Sequence, residues 1–450
     1  MQTENKNIAI VGAGLVGSLL SIYLIKRGYN VTVFERRANM RKHVLDAGRS
    51  INLALSNRGI CALEHVGLAD AMKKVAIPML GRMIHNLKGD LTFQSYGNDG
   101  QFINSVSRGG LNMMLMEEAE KQGVHFFYEY KCEDVNFEKN EIKFQTYGSH
   151  MVKKFDVIIG ADGAFSAVRK TMEEQGLTKC TPEELEHGYK ELRIPPSDNG
   201  SFLLQRNALH IWPRESFMLI ALPNPDATFT CTLFLPAKGE VSFKKLKKKE
   251  DINIFFQTHF ADAVPLMPTL IEDFRDNTMA SLVTIRTYPW VANNTFLIGD
   301  AAHGIVPFYG QGMNAGFEDC FVLNELLDKY HDDWSKVLPE FQELRKPDND
   351  AIAQLALDNF VEMRDLVADD EFLLRKRIES RLHEMYPKDW IPLYSMVTFK
   401  EDMRYSEALA KGKLQQQVMD EVMSRPDIET NWEQLDLKKI VEKLEAKSAN

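Results

Sequence analysis

The sequence predicts an α/β protein with a Rossmann-like dinucleotide-binding domain, an inserted β-sheet substrate domain and a C-terminal helical region. A glycine-rich turn follows an apolar strand near residue 12, two later apolar strands end in glycines and an acid, and the pattern is helical beyond about residue 320. The expected dinucleotide-binding domain comprises 1–78, 106–178 and 286–330, the substrate domain 79–105 and 179–285, and the helical region 331–450.

Composition indicates an ordinary globular protein with two or more domains, since 450 residues exceed one simple core. A net charge of −10 argues against a nucleic-acid partner, which usually requires a basic surface. Five scattered cysteines without a C-x-x-C pair predict a reducing compartment and no metal site. No signal peptide and no run of 18 apolar residues is visible, so we expect a cytoplasmic protein.

The first motif is Gly12-Ala13-Gly14-Leu15-Val16-Gly17, between the strand NIAIVGA and the helix SLLSIYLIKRG. Gly12 permits a tight turn, Gly14 lets the backbone approach a pyrophosphate, and Gly17 lets helix and strand pack closely. The strand NVTVFE then ends in Glu35, which is placed to bind ribose hydroxyls. The pattern therefore predicts dinucleotide binding, and the alternative is a glycine-rich turn without a ligand.

Two later segments favour a flavin over a nicotinamide cofactor. A strand in FDVIIGADGAFSAVRK ends at Asp162, and another in FLIGDAAHG ends at Asp300. A nicotinamide cofactor needs one such crevice, whereas extended FAD needs a pyrophosphate site and a distant ring site. We expect Asp300 to hold ribityl hydroxyls or the pyrophosphate side. The N–H groups of loop 310–314, before a helix opening at Ala315, would face the pyrimidine edge of the ring.

His303 stands beside Asp300 and suggests a catalytic pair. We interpret it as structural, because a flavin would supply the reactive chemistry.

The inserted region is rich in alternating strands, and period two places Met218, Ile220 and Leu222 on one face. That face is either ordinary sheet core or the wall of a pocket. Residues 79–105 read as a hairpin region, and a turn centred on Gly89 would place Arg82 directly across from Tyr96. Such a pair is either a carboxylate receptor or an incidental surface contact.

The helical region contains DNFVEMR, in which Leu355, Asn359, Met363 and Leu366 share one helix face with Glu362 at its edge. A buried amide needs a partner, so Asn359 makes either a helix-packing hydrogen bond or a substrate contact. The last forty residues are charged and heptad-like, and we expect them to be solvated.

The motifs GAGLVG, GADG and GDAAH, in this order, resemble those of the class A flavoprotein monooxygenases, which share the fold of para-hydroxybenzoate hydroxylase. The resemblance covers about residues 7–330. It implies noncovalent FAD and no separate NADPH domain, in keeping with the single G-x-G-x-x-G motif.

Six further stretches look like the kynurenine 3-monooxygenase branch of this family: RSINLALSNRG, GRMIH…SYG, SVSRGGLN, PFYGQGMNAGFED, DNFVEMR and IPLYSMVTF. The last two lie outside the general flavin fold. The resemblance implies hydroxylation of L-kynurenine to 3-hydroxy-L-kynurenine with NADPH and dioxygen, through a flavin hydroperoxide and without a catalytic protein side chain.

The resemblance also implies roles for individual residues. The expected substrate contacts are Arg82 and Tyr96 at the carboxylate, Asn359 and Tyr394, with Met363, Glu362, Phe308, Ile220, Leu222 and Phe234 completing the pocket. The expected FAD contacts are Gly12, Gly14, Val16, Gly17, Glu35, Arg36, Arg37, Ala38, Ala54, Arg108, Asp162, Asp300, Gly312, Met313 and Asn314.

Two departures from the family pattern stand out. Eukaryotic members carry a hydrophobic C-terminal anchor, whereas this chain ends in the charged LKKIVEKLEAKSAN, so we expect no membrane anchor. Tyr309 occupies a position that varies in the family. Two other functions remain open: hydroxylation of another aromatic acid or ubiquinone precursor, and a flavoprotein that binds FAD as a redox-responsive module without hydroxylating.

Overall fold

The computed structural model describes residues 6–39, 41, 52–97, 100–363 and 369–448. Its strands are β1 (Asn7–Val11), β2 (Asn30–Glu35), β3 (Asn52–Leu55), β4 (Ile77–Met79), β5 (Gly81–His85), β6 (Leu91–Ser95), β7 (Ile103–Ser107), β8 (His125–Tyr128), β9 (Lys131–Asn136), β10 (Glu141–Thr146), β11 (Ser149–Lys154), β12 (Val157–Gly160), β13 (Lys179–Ile194), β14 (Ala208–Arg214), β15 (Phe217–Pro223), β16 (Phe229–Pro236), β17 (Ala280–Tyr288), β18 (Val291–Ala292) and β19 (Thr295–Leu297).

The helices are α1 (Leu15–Lys26), α2 (Asn57–His65), α3 (Ala69–Lys73), α4 (Arg108–Lys121), α5 (Ala167–Glu174), α6 (Lys249–His259), α7 (Leu270–Asp276), α8 (Asp300–His303), α9 (Gly312–Lys329), α10 (Trp334–Val361), α11 (Asp370–Met385), α12 (Leu393–Phe399), α13 (Tyr405–Met423), α14 (Ile428–Asn431) and α15 (Leu437–Ser448). Short 3₁₀ turns cover Val264–Leu266, Pro307–Tyr309 and Trp432–Gln434.

The predicted Rossmann-like sheet is present, with six strands in the order β18-β19-β12-β1-β2-β8. Strand β1 runs parallel to β12 on one side and to β2 on the other, so Val11 pairs with both Gly160 and Phe34. The glycine-rich turn after β1 therefore lies beside the GADG turn after β12. This is the crevice at carboxyl strand ends where open α/β sheets bind ligands.

The inserted region forms a seven-stranded sheet in the order β17-β13-β16-β15-β14-β5-β6. The hairpin of β5 and β6 joins its edge, and β5 runs parallel to β14. The flanking strands β4 and β7 instead pair within a separate three-stranded sheet, in the order β3-β7-β4. Helices α6 and α7 interrupt the strand-rich region and cover one face of the large sheet with a phenylalanine-rich core.

The predicted register of the hairpin is wrong by two residues. Arg82 pairs with Gln94, not with Tyr96. The turn is closed around Lys88, because the Asn86 side-chain oxygen accepts hydrogen bonds from the backbone N–H groups of Lys88 and Asp90. A shift of the strand register by two residues leaves every side chain on the same face of the sheet, so Arg82 and Tyr96 remain diagonal neighbours on one face.

The expectation that the last forty residues are solvated is wrong. Helices α13 and α15 pack with α11 into a core of their own, which includes Leu374, Ile378, Leu382, Val418, Met419, Val422, Ile440, Val441 and Leu444. The apolar residues recur every three or four positions and therefore form one buried stripe, while the charged residues face solvent.

A buried ionic network joins α8, α9 and α10. Asp319 accepts hydrogen bonds from His303 Nε2 at 2.5 Å and from Arg345 Nε at 2.7 Å, and Arg345 also pairs with Glu318 at 2.7 Å. His303 thus pairs with Asp319 and not with Asp300, in keeping with the structural role we expected. Burial alone would raise the pKa of Asp319, but His303 and Arg345 outweigh it and hold that pKa at about 2.

We expect Arg345→Met to lower the free energy of unfolding by about 3–5 kcal/mol, because it leaves Asp319 and Glu318 buried without their cation. Arg286→Met is the matched control. Arg286 pairs with Glu183 at 2.7 Å, but the two side chains are 27% and 50% exposed, so its loss should cost less than about 1 kcal/mol. Urea denaturation of both variants tests this, and equal losses would contradict the assigned role of the network.

Candidate functional site

A large cavity opens where the carboxyl ends of β1 and β12 meet one face of the large sheet and helix α12. Eight of the expected substrate residues line it: Arg82, Tyr96, Ile220, Leu222, Phe234, Phe308, Met363 and Tyr394. Seven of the expected cofactor residues do so too: Gly14, Val16, Ala54, Arg108, Asp300, Gly312 and Met313. The folded chain thus brings both expected sites to one continuous cavity.

The three glycines of the first motif have different surroundings, and these match the tasks predicted for them. A Cβ on Gly12 would lie 2.4 Å from the carbonyl oxygen of Ala161, and one on Gly17 would lie 2.1 Å from that of Gly12. The absence of a side chain at Gly12 and Gly17 therefore allows close backbone contact of Gly12 with Ala161 and of Gly17 with Gly12. A Cβ on Gly14 would meet nothing within 4 Å, so the space beside the N-terminus of α1 is open to a ligand.

Glu35 ends β2 and is buried. Its carboxylate accepts hydrogen bonds from Ala13 N at 3.0 Å and from Arg37 Nε at 2.8 Å. Burial tends to raise the pKa of Glu35, but the contacts with Arg37 and Ala13 lower it overall, so the group stays charged. Arg36, Arg37 and Ala38 follow as exposed residues and do not line the cavity.

The two other motif acids differ in their surroundings. The Asp162 carboxylate accepts hydrogen bonds from Ser166 Oγ at 2.5 Å and Ala167 N at 2.6 Å, and so it caps α5 while its neighbours Ala161 and Gly163 line the cavity. Asp300 is exposed and lines the cavity from the first turn of α8.

The glycine-rich loop after α8 is held in place by Asn314. Its Oδ1 accepts from Ser56 N at 3.0 Å, and its Nδ2 donates to Ala54 O at 2.8 Å and Gly310 O at 2.9 Å. The helix begins at Gly312, three residues before the start expected at Ala315, because Gly310 adopts a left-handed conformation with φ +68° and turns the chain. The first backbone N–H groups of α9 thus lie beside the cavity.

The pair expected to bind a carboxylate, Arg82 and Tyr96, stands in an aromatic cluster. The rings of Tyr96 and Tyr394 stack with centroids 5.3 Å apart, and the Arg82 guanidinium carbon lies 5.6 Å and 5.0 Å from their centroids. Arg82 Nε and Tyr96 Oη are buried without a hydrogen-bond partner. A buried donor without a partner is costly, so this end of the cavity is suited to a ligand that accepts hydrogen bonds.

Electrostatics at this end keep the arginine charged and the tyrosines neutral. Burial tends to lower the pKa of Arg82, but Tyr394, Tyr96 and Glu362 raise it overall. Burial raises the pKa of Tyr96, Tyr394 and Tyr309. A guanidinium has donors only, and a neutral phenol beside it keeps its O–H proton, so both groups can donate to an anion.

The alternating face of β15 is a pocket wall. Met218, Ile220 and Leu222 line the cavity with Phe234 from β16. Phe308 closes the wall, with its ring centroid 4.9 Å from that of Phe234 and 4.2 Å from that of Phe360.

Asn359 makes a helix-packing hydrogen bond, which is one of the two roles predicted for it. Its Nδ2 donates to Phe308 O at 2.7 Å and to Met363 Sδ at 3.3 Å, and it does not line the cavity. It therefore holds the loop that carries Phe308 and Tyr309. Glu362 does not line the cavity either, and Leu366 lies outside the described residues.

Several cavity residues were not expected as site residues, among them Thr232, Leu209, Tyr189 and Asn52. Thr232 could have been found, because it alternates with Phe234 on β16. Tyr309, which the sequence marked only as a departure, also lines the cavity and stacks on Tyr394 at 5.5 Å.

Neither a metal site nor a membrane span is found in the described part of the chain. No group of three or more His, Cys, Asp or Glu side chains there could hold a metal ion. None of the helices described above is both long and apolar enough to cross a bilayer.

Comparison with known proteins gives a family match over most of the chain. Residues 5–347 match the family described as "FAD binding domain". A protein of Cytophaga hutchinsonii named kynurenine 3-monooxygenase is 50% identical over 438 residues, covering 96% of this chain and 97% of that protein. One of Flavobacterium johnsoniae with the same name is 48% identical over 435 residues, with 96% and 97% coverage.

A solved structure has a similar fold at low identity. The tetrameric form of 2-methyl-3-hydroxypyridine-5-carboxylic acid oxygenase superposes with a TM-score of 0.67 at 18% identity, covering 81% of this chain and 94% of that one. At this identity the similarity concerns the fold alone.

We expect Gly14→Ala to leave the thermal stability of the cofactor-free protein unchanged while raising the dissociation constant for FAD by about tenfold or more. The added Cβ meets no protein atom but enters the space left for the ligand. Gly17→Ala is the contrasting control, because its Cβ collides with the Gly12 carbonyl and must lower stability. Calorimetry and fluorescence titration with FAD measure both effects. Wild-type FAD affinity in Gly14→Ala would contradict the predicted phosphate position.

Proposed function

The chain belongs to the kynurenine 3-monooxygenase family of FAD-dependent aromatic monooxygenases, and we propose that it hydroxylates L-kynurenine to 3-hydroxy-L-kynurenine with NADPH and dioxygen. The observation that carries the proposal for this chain is the pair of buried, unpartnered donors Arg82 Nε and Tyr96 Oη, at a cavity continuous with a dinucleotide turn. An amino-acid carboxylate satisfies both donors.

The residues present fit FAD. The open space at Gly14 and the N-terminus of α1 suit the pyrophosphate, and Asp300 suits the ribityl hydroxyls. Arg108, Met313 and the first N–H groups of α9 are placed to contact the ring system. The oxygen chemistry is supplied by FAD, reduced by NADPH, when it is bound.

Arg82 and Tyr96 hold and orient the substrate in this proposal. The guanidinium presents two parallel N–H groups to a carboxylate, and the phenol adds a third donor. The stacked ring of Tyr394 fixes the tyrosine and covers the arginine. Because the carboxylate is held at one end, the aromatic ring of kynurenine lies against the apolar wall.

The apolar wall excludes water. Ile220, Leu222, Phe234 and Phe308 present hydrocarbon side chains to the ring, so most of this wall offers water no hydrogen-bond partner. The Thr232 hydroxyl is a polar group that β16 adds between them. A dry site protects the reactive oxygen from loss before it reaches the substrate. Met363 from the helical region and Tyr309 from the turn before α9 close the same space.

The ionisable groups favour an aniline over a phenol as substrate. A phenol must lose a proton to become reactive, whereas the amino group of kynurenine already activates its ring. No histidine is among the residues described around the cavity, and burial raises the pKa of Tyr96, Tyr394 and Tyr309, so none of the three is a base at neutral pH.

We also propose the domain organisation predicted from the sequence: residues 1–78, 106–178 and 286–330 form the FAD-binding domain, 79–105 and 179–285 the substrate domain, and 331–450 the C-terminal helical region. The separate sheets support it. We propose a cytoplasmic location, which the free thiols of all five cysteines support.

The direct test follows NADPH oxidation at 340 nm by FAD-loaded protein with and without L-kynurenine, with the product identified by mass. We expect strong stimulation and a product heavier by one oxygen atom. Stimulation with hydrogen peroxide and no new product would contradict the assigned substrate. No stimulation would leave a flavoprotein that does not hydroxylate this compound.

We expect Arg82→Met to raise the KM for L-kynurenine by about a hundredfold, because the carboxylate loses charge-assisted hydrogen bonds. The FAD content should not change, since Arg82 lies in the substrate sheet. Arg206→Met, which removes an exposed arginine near Phe202, is the control and should leave KM unchanged. Loss of FAD from Arg82→Met would contradict the role assigned to the residue.

A further inference from the structure

Arg58 is a buried arginine of α2 that has no role in the proposed function. It lies in the stretch RSINLALSNRG, one of the segments that resemble the family. Its Nε donates to Val397 O at 3.0 Å and its Nη2 to Lys400 O at 3.0 Å and to Met403 O. Its Nη1 pairs with Glu318 of α9 at 2.6 Å, and its guanidinium carbon lies 4.0 Å from the centroid of the Tyr405 ring.

These three carbonyl groups belong to the C-terminal end of α12 and the turn that follows it. The last carbonyls of a helix lack partners within the helix, and a cation there is favourable. Helix α12 has only seven residues, too few to be stable by itself. Asn57 Nδ2 adds a bond to Phe399 O at 3.4 Å, so the first turn of α2 holds the whole end of α12.

The other end of α12 carries Tyr394, whose ring stacks between Tyr96 and Tyr309 at 5.3 Å and 5.5 Å. Tyr394 lies one helical turn before Val397, so a shift of the helix end moves this ring. We propose that Arg58 is a positioning residue that fixes Tyr394 against the carboxylate-binding pair by chelating the carbonyl groups at the end of α12.

Glu318 holds the Arg58 guanidinium in place. It also accepts from Arg345 Nη2 at 2.7 Å, so Arg58 is tied into the buried network of α9 and α10. Helix α9 begins at the glycine-rich loop beside the expected flavin site. Arg58 therefore sets α12, and with it Tyr394, relative to the flavin-binding part of the chain, a consequence that rests on the proposed function.

The first test is a double-mutant cycle on FAD-loaded enzyme, with L-kynurenine binding read from the flavin absorbance. Arg58→Lys keeps the charge beside Glu318 but loses the fork that holds three carbonyls. We expect it to raise the dissociation constant by about tenfold, and Tyr394→Ala by a similar factor. Because Arg58 is proposed to act through Tyr394, the dissociation constant of the double variant should exceed that of Tyr394→Ala by less than about twofold.

The proposal would be overturned if the dissociation constant of the double variant rose by the product of the two single-variant factors. It would also be overturned if Arg58→Lys bound L-kynurenine as tightly as wild type. If wild-type enzyme fails to bind L-kynurenine, the proposed function fails, and the role of Arg58 is then judged by a second measurement without substrate. Hydrogen exchange of residues 393–403 should be faster in Arg58→Lys than in wild type. Unchanged exchange there would overturn the proposal.

Arg375→Lys is the matched control for both measurements. Arg375 also pairs with a carboxylate, Asp420 at 2.7 Å, and donates to a carbonyl, Gln416 O at 3.3 Å, but it joins α11 to α13 without contacting α12. It should change neither kynurenine binding nor exchange at 393–403. If Arg58→Lys does not fold, Arg58→Gln, which keeps a donor toward one carbonyl, takes its place with the same expectations. Effects of Arg375→Lys equal to those of Arg58→Lys would reduce the role of Arg58 to general stability and overturn the proposal.

Discussion

The site depends on one guanidinium group, that of Arg82, which is held in a buried aromatic cluster with its Nε unpartnered. Arg82 lies beside the stacked rings of Tyr96 and Tyr394, and the Tyr96 hydroxyl near it also has no partner. Buried donors of this kind are costly to the unliganded fold, and an anion removes the cost. The edge hairpin, the short helix α12 and the buried network behind it all serve to place these donors at the cavity.

The second constraint is the close approach of backbone to backbone at the first motif. Gly12 and Gly17 leave no room for a Cβ, whereas Gly14 borders open space. The parallel pairing of β1 with β12 brings Ala161 and Gly163 to the same edge. The end of the cavity expected to bind phosphate is thus built from the main chain, while the end proposed for the substrate is built from side chains of the inserted sheet and the helical region.

Local patterns predicted most of the fold, and long-range contacts account for what they missed. The glycine turn, β2 and the lining face of β15 follow from neighbours in sequence. The hairpin register was wrong because side-chain bonds of Asn86 moved the turn by one residue. The packing of α13 and α15 on α11 could not be predicted from the sequence, because the apolar stripe of one helix does not reveal which other helix covers it. Arg58 escaped notice because the carbonyl groups that it binds lie more than 330 residues away in sequence.

We propose that Arg82 binds the carboxylate of the substrate. The most direct measurement compares kcat/KM for L-kynurenine with that for its decarboxylated analogue, which keeps the aniline and ketone, in wild type and in Arg82→Met. We predict that wild type prefers L-kynurenine by about a hundredfold and that Arg82→Met loses nearly all of this preference. An undiminished preference in the variant would contradict the account, because another group would then hold the carboxylate.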